Sequence, residues 1–475
     1  MKKVYILFYF ICFCLCGSFS QTLQQARSLY ESNNYVDAKP VFEKYVKSSP
    51  SNGNYNFWYG VCCLKTGEPE KAIPYLETAV KKRITGGQLY LAQAYHDSYH
   101  FQNAVDCYEE YIAELEKRKK PTEIADSLLE RSKMYLRMIK GVEEVCVIDS
   151  FVVDKVNFLE HYKISEDAGT LYNYNDFFKA SGENVGTVYQ NEIESKIYYS
   201  ETGENGTLDI FSKSKLDNEW GRKQTLPSGI NGSGNANYAY VLSDGITIYY
   251  ATDGEGLGGY DIYVTRYNTN TDTYLTPENV GMPFNSPYND YMYVVDEYNN
   301  LGWFASDRFQ PDGKVCIYVF IPNVSKQTYN FEIMDAEKMI RLAKLYSLKE
   351  TWNDESEVKE ALARLQMVLD YKPKEHRKVD FELVIDDNRT YHVWGDFKSA
   401  EAKKLFQHFL RLKKDYLVQE DKLEKMRLRY IQSGNEEKIQ LSPSILDLEK
   451  RVLQMNIELD TLEVEVRNKE KVNLK

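Results

Sequence analysis

The chain has 475 residues, 43% of them hydrophobic, and a formal charge of −12. That length fits two to four domains with enough apolar residues for folded cores. The acidic balance argues against a nucleic-acid protein, because no large basic excess exists to meet phosphates, and gives no support for adhesion to an anionic lipid surface.

The first twenty residues read as a secretory signal peptide. Lys2 and Lys3 form a positive start, Val4 to Leu15 a short apolar core, and Ser18 and Ser20 supply small residues before Gln21. Cys16 is poorly placed for lipidation, since Phe13, Cys14 and Leu15 fit that signal badly. Cleavage leaves Cys62, Cys63, Cys107, Cys146 and Cys316, an odd and scattered set. Such a set predicts small buried hydrophobes rather than a disulfide framework, with one pair between neighbouring helices left open. No other apolar run reaches about eighteen residues, so no transmembrane span is expected in the mature chain.

Residues 21–141 read as helix pairs. Ala26, Gly60 and Ala92 are 34 and 32 residues apart, and Ala38, Ala72 and Ala104 keep the same spacings. Phe42, Leu76 and Tyr108 follow the second set by four; Tyr45, Ala79 and Tyr111 follow by seven. Small residues let paired helices approach, and the larger ones on one face pack against the next unit. Asn33-Asn34 and Lys65-Thr66-Gly67 supply the turns. The pattern resembles the tetratricopeptide repeat. That resemblance implies an α-solenoid whose surface docks protein segments, against the alternative of a structural spacer. A fourth pair, roughly Thr122 to Lys140, is expected to cap the array.

Near Gly141 the helical period gives way to strands, and Val145 to Asp154 is rich in branched residues. Residues 142–323 then carry one cassette three times: Lys196–Gly203 with Leu208–Phe211, Thr247–Gly254 with Tyr260–Tyr263, and Leu301–Arg308 with Val315–Tyr318. Tyr199, Tyr250 and Phe304 recur about every 50 residues, and each cassette reads as a hairpin. Tyr250-Ala251-Thr252-Asp253-Gly254 to Gly258-Gly259-Tyr260-Asp261-Ile262-Tyr263, with Asn285–Asp290 as the connecting segment, resembles the WD40-like Pro-Asp (PD40) repeats of bacterial envelope propellers. The resemblance implies a β-propeller of about four to five blades. Val145–Asp154 and Gly169–Tyr172 are expected to form a degenerate first blade.

Residues 324–396 read as a last blade interrupted by a helical insertion, Asp335–Leu348 and Glu355–Leu369, before a closing hairpin of Val379–Ile385 and Thr390–Trp394, with a small separate α/β module as the alternative. Residues 397–475 carry two heptad seams. The first is Leu405, Phe409, Leu412, Tyr416, Gln419, Leu423, Met426 and Tyr430. The second is Ile445, Leu448, Val452, Met455, Leu459, Leu462 and Val466. Ser442-Pro443 reads as the start of the second helix, and the pair as an antiparallel coiled-coil hairpin that packs on itself or on a partner.

Catalytic constellations are missing from the pattern: no Gly-x-Ser-x-Gly elbow and no phosphate-binding loop occur. His96 and His100 lack an acidic residue in zinc-protease register. Asp253, Glu255 and Asp261 among glycines suit a calcium loop, but tight turns use the same residues, and Asp209 and Asp261 are expected to bond backbone. Asn231-Gly232-Ser233-Gly234 reads as a flexible inter-blade turn. Trp220, Tyr238, Tyr240, Tyr288 and Tyr291 fit either sugar stacking or inter-blade packing. The expected catalytic, cofactor and metal sites are therefore none, and the partner-binding residues stay unassigned. The reading is a periplasmic or outer-membrane-associated scaffold, holding envelope proteins through the repeats and coiled coil and open to homo-oligomer formation. A glycan- or peptide-binding propeller is the alternative. The OmpA-like domain that often ends such envelope proteins is replaced here by helices.

Overall fold

A computed structural model describes residues 22–472 other than 183, 217–218, 255, 371–380, 382 and 387–388. The leader, Cys16, Glu255 and Val379 lie outside the described residues. The chain divides into two compact units after Asp370, so the expected grouping of 324–396 does not hold. Among the described residues no helix is long and apolar enough to cross a membrane, and the five cysteines are free.

The first unit begins with α1 (Leu23–Glu31), α2 (Tyr35–Ser48), α3 (Gly53–Lys65), α4 (Pro69–Lys81), α5 (Gly87–Asp97), α6 (Phe101–Lys117) and α7 (Glu123–Lys140). Thr22 and Gln25 close a capping box on α1, and the Asn34 and Asn52 side chains cap α2 and α3. All six small residues of the repeat pattern are buried. Gly60 shows why: a Cβ there would lie 2.8 Å from Cγ of Leu76 on the paired helix. Phe42, Leu76 and Tyr108 are buried as the larger partners. The expected fourth pair is one helix, α7. Leu129 packs on α6, and towards the C-terminal end Tyr135 and Ile139 share a core with Leu257 and Met282 of the β region and with Met339 and Ile340 of the helix Ala336–Lys344.

Three antiparallel sheets follow. The first orders Thr170–Asn173, Thr187–Gln190, Lys196–Thr202 and Leu208–Leu216. The second orders Ala236–Val241, Thr247–Thr252 and Asp261–Asn268. The third orders Asp290–Asp296, Leu301–Ser306, Lys314–Ile321 and finally Cys146–Asp154. Two-residue strands extend the first two. The cassettes occupy equivalent places: Tyr199 pairs across strands with Phe211, Tyr250 with Tyr263 and Phe304 with Tyr318. Their ring centroids lie 5.9, 6.0 and 4.9 Å apart.

Two expectations about this region are overturned. No degenerate first blade exists, because Cys146–Asp154 and Thr170–Asn173 join different sheets. The strand Lys314–Ile321 is buried almost throughout, so its outer N–H and C=O groups need a partner. Cys146–Asp154 supplies it, from Cys146↔Ile321 to Asp154↔Lys314. Three principal sheets, not four or five, are therefore present among the described residues of this unit. The helices Ala336–Lys344 and Glu355–Asp370 do not interrupt a blade. Val358, Ala361 and Leu365 of the second join the core that contains Ile248, Trp303 and Ile317.

Asparagines hold consecutive sheets together. Asn231 Oδ1 accepts from the Ile210 N–H (2.8 Å), and its amide donates to the Ile210 and Leu226 carbonyls. Fifty-four residues on, Asn285 accepts from the Ile262 N–H (2.7 Å) and donates to the Ile262 carbonyl (2.8 Å). Asn235 and Asn289 form a second pair. Each accepts from a backbone N–H of the preceding sheet region, Leu208 or Tyr260, and donates to a carboxylate of its own sheet, Asp253 or Asp307. Asn231–Gly234 is thus a pinned connector rather than a flexible turn. Asn285→Ala leaves the buried Ile262 N–H without a partner, while the Ile262 carbonyl keeps the Val280 N–H, and is expected to cost about 1–3 kcal/mol. Asn231→Ala, at a half-exposed position, should cost less; paired urea titrations of the two variants measure the difference.

The second unit packs a small hairpin, Leu383–Asp386 with Arg389–Tyr391, on two helices, Ala400–Gln432 and Asn435–Val472. Leu383, Ile385, Tyr391, Phe406 and Val466 form its core. That core explains why the hairpin does not close a blade: its apolar face is already covered by helices. Buried Glu470 accepts from the Tyr391 hydroxyl (2.9 Å) and the N–H groups of Lys398 (2.6 Å) and Ser399 (3.1 Å). Ion pairs Glu401–Lys469, His408–Glu458 and Arg427–Glu449 show the helices to be antiparallel. Ile445, Leu448, Leu459, Leu462 and Val466 of the second seam are buried. The first seam is looser, with Tyr430 37% exposed. The second helix starts at Asn435, and Pro443 lies inside it. Proline there removes one helical hydrogen bond, while the seam on both sides keeps the helix continuous.

Candidate functional site: a cleft between helical repeats and sheets

The repeat array and the β region of the first unit are fastened at several points. His100 Nε2 lies 2.9 Å from Glu337, and Lys344 Nζ lies 2.8 Å from Glu70. Between them opens a cavity of about 450 Å³. Its repeat side is Leu64, Gly67, Pro69, Glu70, His96, Asp97, Tyr99 and Arg131. Its other side is Pro287, Tyr288, Phe309 and Lys344. A second cavity of about 360 Å³ shares Pro287 and Tyr288 and reaches Lys155, Asp307 and Lys314.

Two aromatic residues of the cleft have left-handed backbones, Tyr99 at φ 68° and Phe309 at φ 59°. At Tyr99 this is the turn that ends the first helix of each pair, as at Asn33 and Gly67; at Phe309 it is uncommon for a bulky residue. Tyr99 is buried beneath the Lys344 ammonium, 4.8 Å from its ring. Phe309 is 54% exposed and Tyr288 39% exposed, with centroids 5.5 Å apart edge to face. They form an exposed aromatic wall. Such residues serve as interface anchors, since they bury large area at low entropic cost.

Across the cleft Lys344 pairs with Glu70, and Arg131 donates to the Tyr135 hydroxyl and the Leu257 carbonyl. Burial, aided by the Arg131 charge, pushes His96 down to about 4, so it is a neutral ring at neutral pH. Its Nδ1 lies 2.8 Å from Ser132 Oγ, and Ser132 is fully buried. That hydroxyl orients the ring from within. Burial also raises Asp97 above the usual carboxylate range. Such a cleft can offer hydrogen bonds beside stacking surface.

Other residues singled out from the sequence lie elsewhere. His100 faces Glu337 rather than converging with His96. Asp253 accepts from the Asn235 N–H and amide. Asp261 accepts from Leu257 and Gly258 N–H groups, the backbone role expected of it. Gly256, Gly258 and Gly259 are required by close approach: a Cβ on them would meet Asp261, Pro287 and Asn289 within 2.4 Å. Tyr238 stacks on Tyr291 at 4.5 Å, and Tyr240 donates to the Val295 carbonyl, both between sheets. Trp220 is half-buried near Phe177. Of the five aromatics, Tyr288 alone lines the cleft. Phe309, Tyr99 and Lys344 carried no sequence signal beyond being an aromatic, an aromatic and a helix-end lysine.

Residues 23–87 match the family model of the tetratricopeptide repeat. The match covers α1 to α4 and the start of α5, and such repeats mediate protein–protein interaction. No curated protein matches the chain. The tetratricopeptide array thus supplies one wall of the cleft, through the turns that join its paired helices.

Proposed function

We propose that this chain is a non-enzymatic scaffold of the bacterial envelope that holds an extended segment of a partner protein in the cleft between its tetratricopeptide array and its sheets. The observation that carries this reading is the exposed aromatic pair Tyr288 and Phe309, the second with a left-handed backbone, facing a repeat array of a protein-docking class. The leader-like start and the PD40 resemblance support an envelope setting, in the periplasm or at the outer membrane within a secretion or assembly complex. The joining of the first strand to the last sheet supports a small propeller as the rigid half of the platform. A peptide fits better than a glycan, because Tyr238, Tyr240 and Tyr291 pack between sheets. The test is affinity capture from envelope extract with wild-type protein and with Tyr288→Ala/Phe309→Ala. Loss of two aromatic anchors should weaken the captured partner at least about tenfold with an unchanged circular dichroism spectrum. Undiminished capture by the double variant overturns the assignment of the cleft.

A further inference from the structure

The helical hairpin of the second unit leaves a second apolar stripe uncovered. On Asn435–Val472 it comprises Ile439, Leu446, Leu453, Ile457 and Val464, which are 74, 54, 62, 50 and 54% exposed. None belongs to the buried seam. They fall at two outward positions of the same heptad register, spaced 7, 4, 3, 4 and 7 residues once Lys450 is included, with Pro443 and Asp460 at the two skipped places. A solvated helix face would carry polar residues there.

The spacing of this stripe is palindromic. Read from either end, Ile439 corresponds to Val464, Leu446 to Ile457 and Lys450 to Leu453. A two-fold axis across the middle of the helix therefore sets each apolar residue against another. The exception is Leu453, which receives the aliphatic stem of Lys450. Self-complementarity of this kind is what an isologous pair demands, and a different partner would not require it. The flanking charges agree. In the antiparallel register Asp447 comes opposite Asn456, Glu449 opposite Gln454 and Glu463 opposite Gln440, so acids do not meet acids.

We infer that this face binds a second copy of the same chain, the two Asn435–Val472 helices crossing antiparallel about a two-fold axis near Arg451 and Val452. The dimer presents two clefts. Light scattering on the full mature protein should give twice the chain mass at micromolar concentration. Leu446→Glu/Ile457→Glu should give monomer, as should Leu446→Lys/Ile457→Lys. An equimolar mixture of these two variants should recover the dimer mass. The substituted residues are exposed, so each variant should keep the wild-type circular dichroism spectrum. A wild-type monomer at all concentrations up to about 100 μM, or a dimer unchanged by both variants, overturns the inference. So does a mixture that fails to re-pair when each variant alone is a folded monomer.

Discussion

Arg308→Met should unfold the first unit at markedly lower urea, by about 3–5 kcal/mol, because it leaves a buried charge alone. Arg308 is fully buried. Its guanidinium donates to Asp290 (2.7 Å), to the Pro283 and Phe284 carbonyls (2.7 and 2.6 Å) and to Ser306 Oγ (2.8 Å). Asp290 is also fully buried, and its other oxygen accepts from the Ser286 N–H and hydroxyl. Methionine fills the volume and supplies none of these donors. Arg308→Lys keeps the charge but cannot fork to four acceptors, so it should lie between. Pairing Arg308→Met with Asp290→Asn should recover part of the loss, since the lone carboxylate is then gone. Equal losses in Arg308→Met and the double variant would show that the ion pair is not the cause.

Asp261→Asn should stabilise the same unit, and only at neutral to alkaline pH. Burial, and then the neighbouring Asp290, raise Asp261 from an ordinary 3.8 to about 8. Its Oδ2 accepts from two backbone N–H groups, while the buried Oδ1 has no partner among the described residues. A carboxyl whose folded pKa is raised binds its proton more tightly when folded. The associated stability is complete below pH 4 and is lost as pH rises from about 4 through 8. Each unit is worth about 1.4 kcal/mol, so the loss approaches ~5 kcal/mol at most by pH 8. Asparagine keeps the Oδ acceptor and has no charge to bury. The gain in melting temperature over wild type should therefore grow from near zero at pH 4 to its largest value at pH 8. A gain independent of pH would mean that ionisation of Asp261 is not involved.

The local patterns of this chain were legible because they rest on near neighbours. Alanines and Gly60 at two fixed spacings state where helices touch, and each is buried. The cassettes state their own hairpins, and Tyr199, Tyr250 and Phe304 stand at matching places in three sheets. Ile445 to Val466 stated a seam that is buried on one side of a helix. Even the inter-sheet asparagines were visible in Asn285–Asp290, though their bonds to Ile262 and Asp307 were not.

Non-local contacts belong to the tertiary structure. Cys146–Asp154 reads as a strand in any sheet, and only the unmet hydrogen-bonding edge of Lys314–Ile321, about 170 residues later in the chain, decides which one. The hairpin at Leu383–Tyr391 has the alternation of a blade, yet Phe406 and Val466 cover its face. Phe309 and Tyr99 become neighbours of one cleft because two modules meet there, and no local period encodes that meeting. Arg308, Asp290 and Asp261 form one buried cluster for the same reason: charge in an interior is tolerated only when folding brings its partners to it.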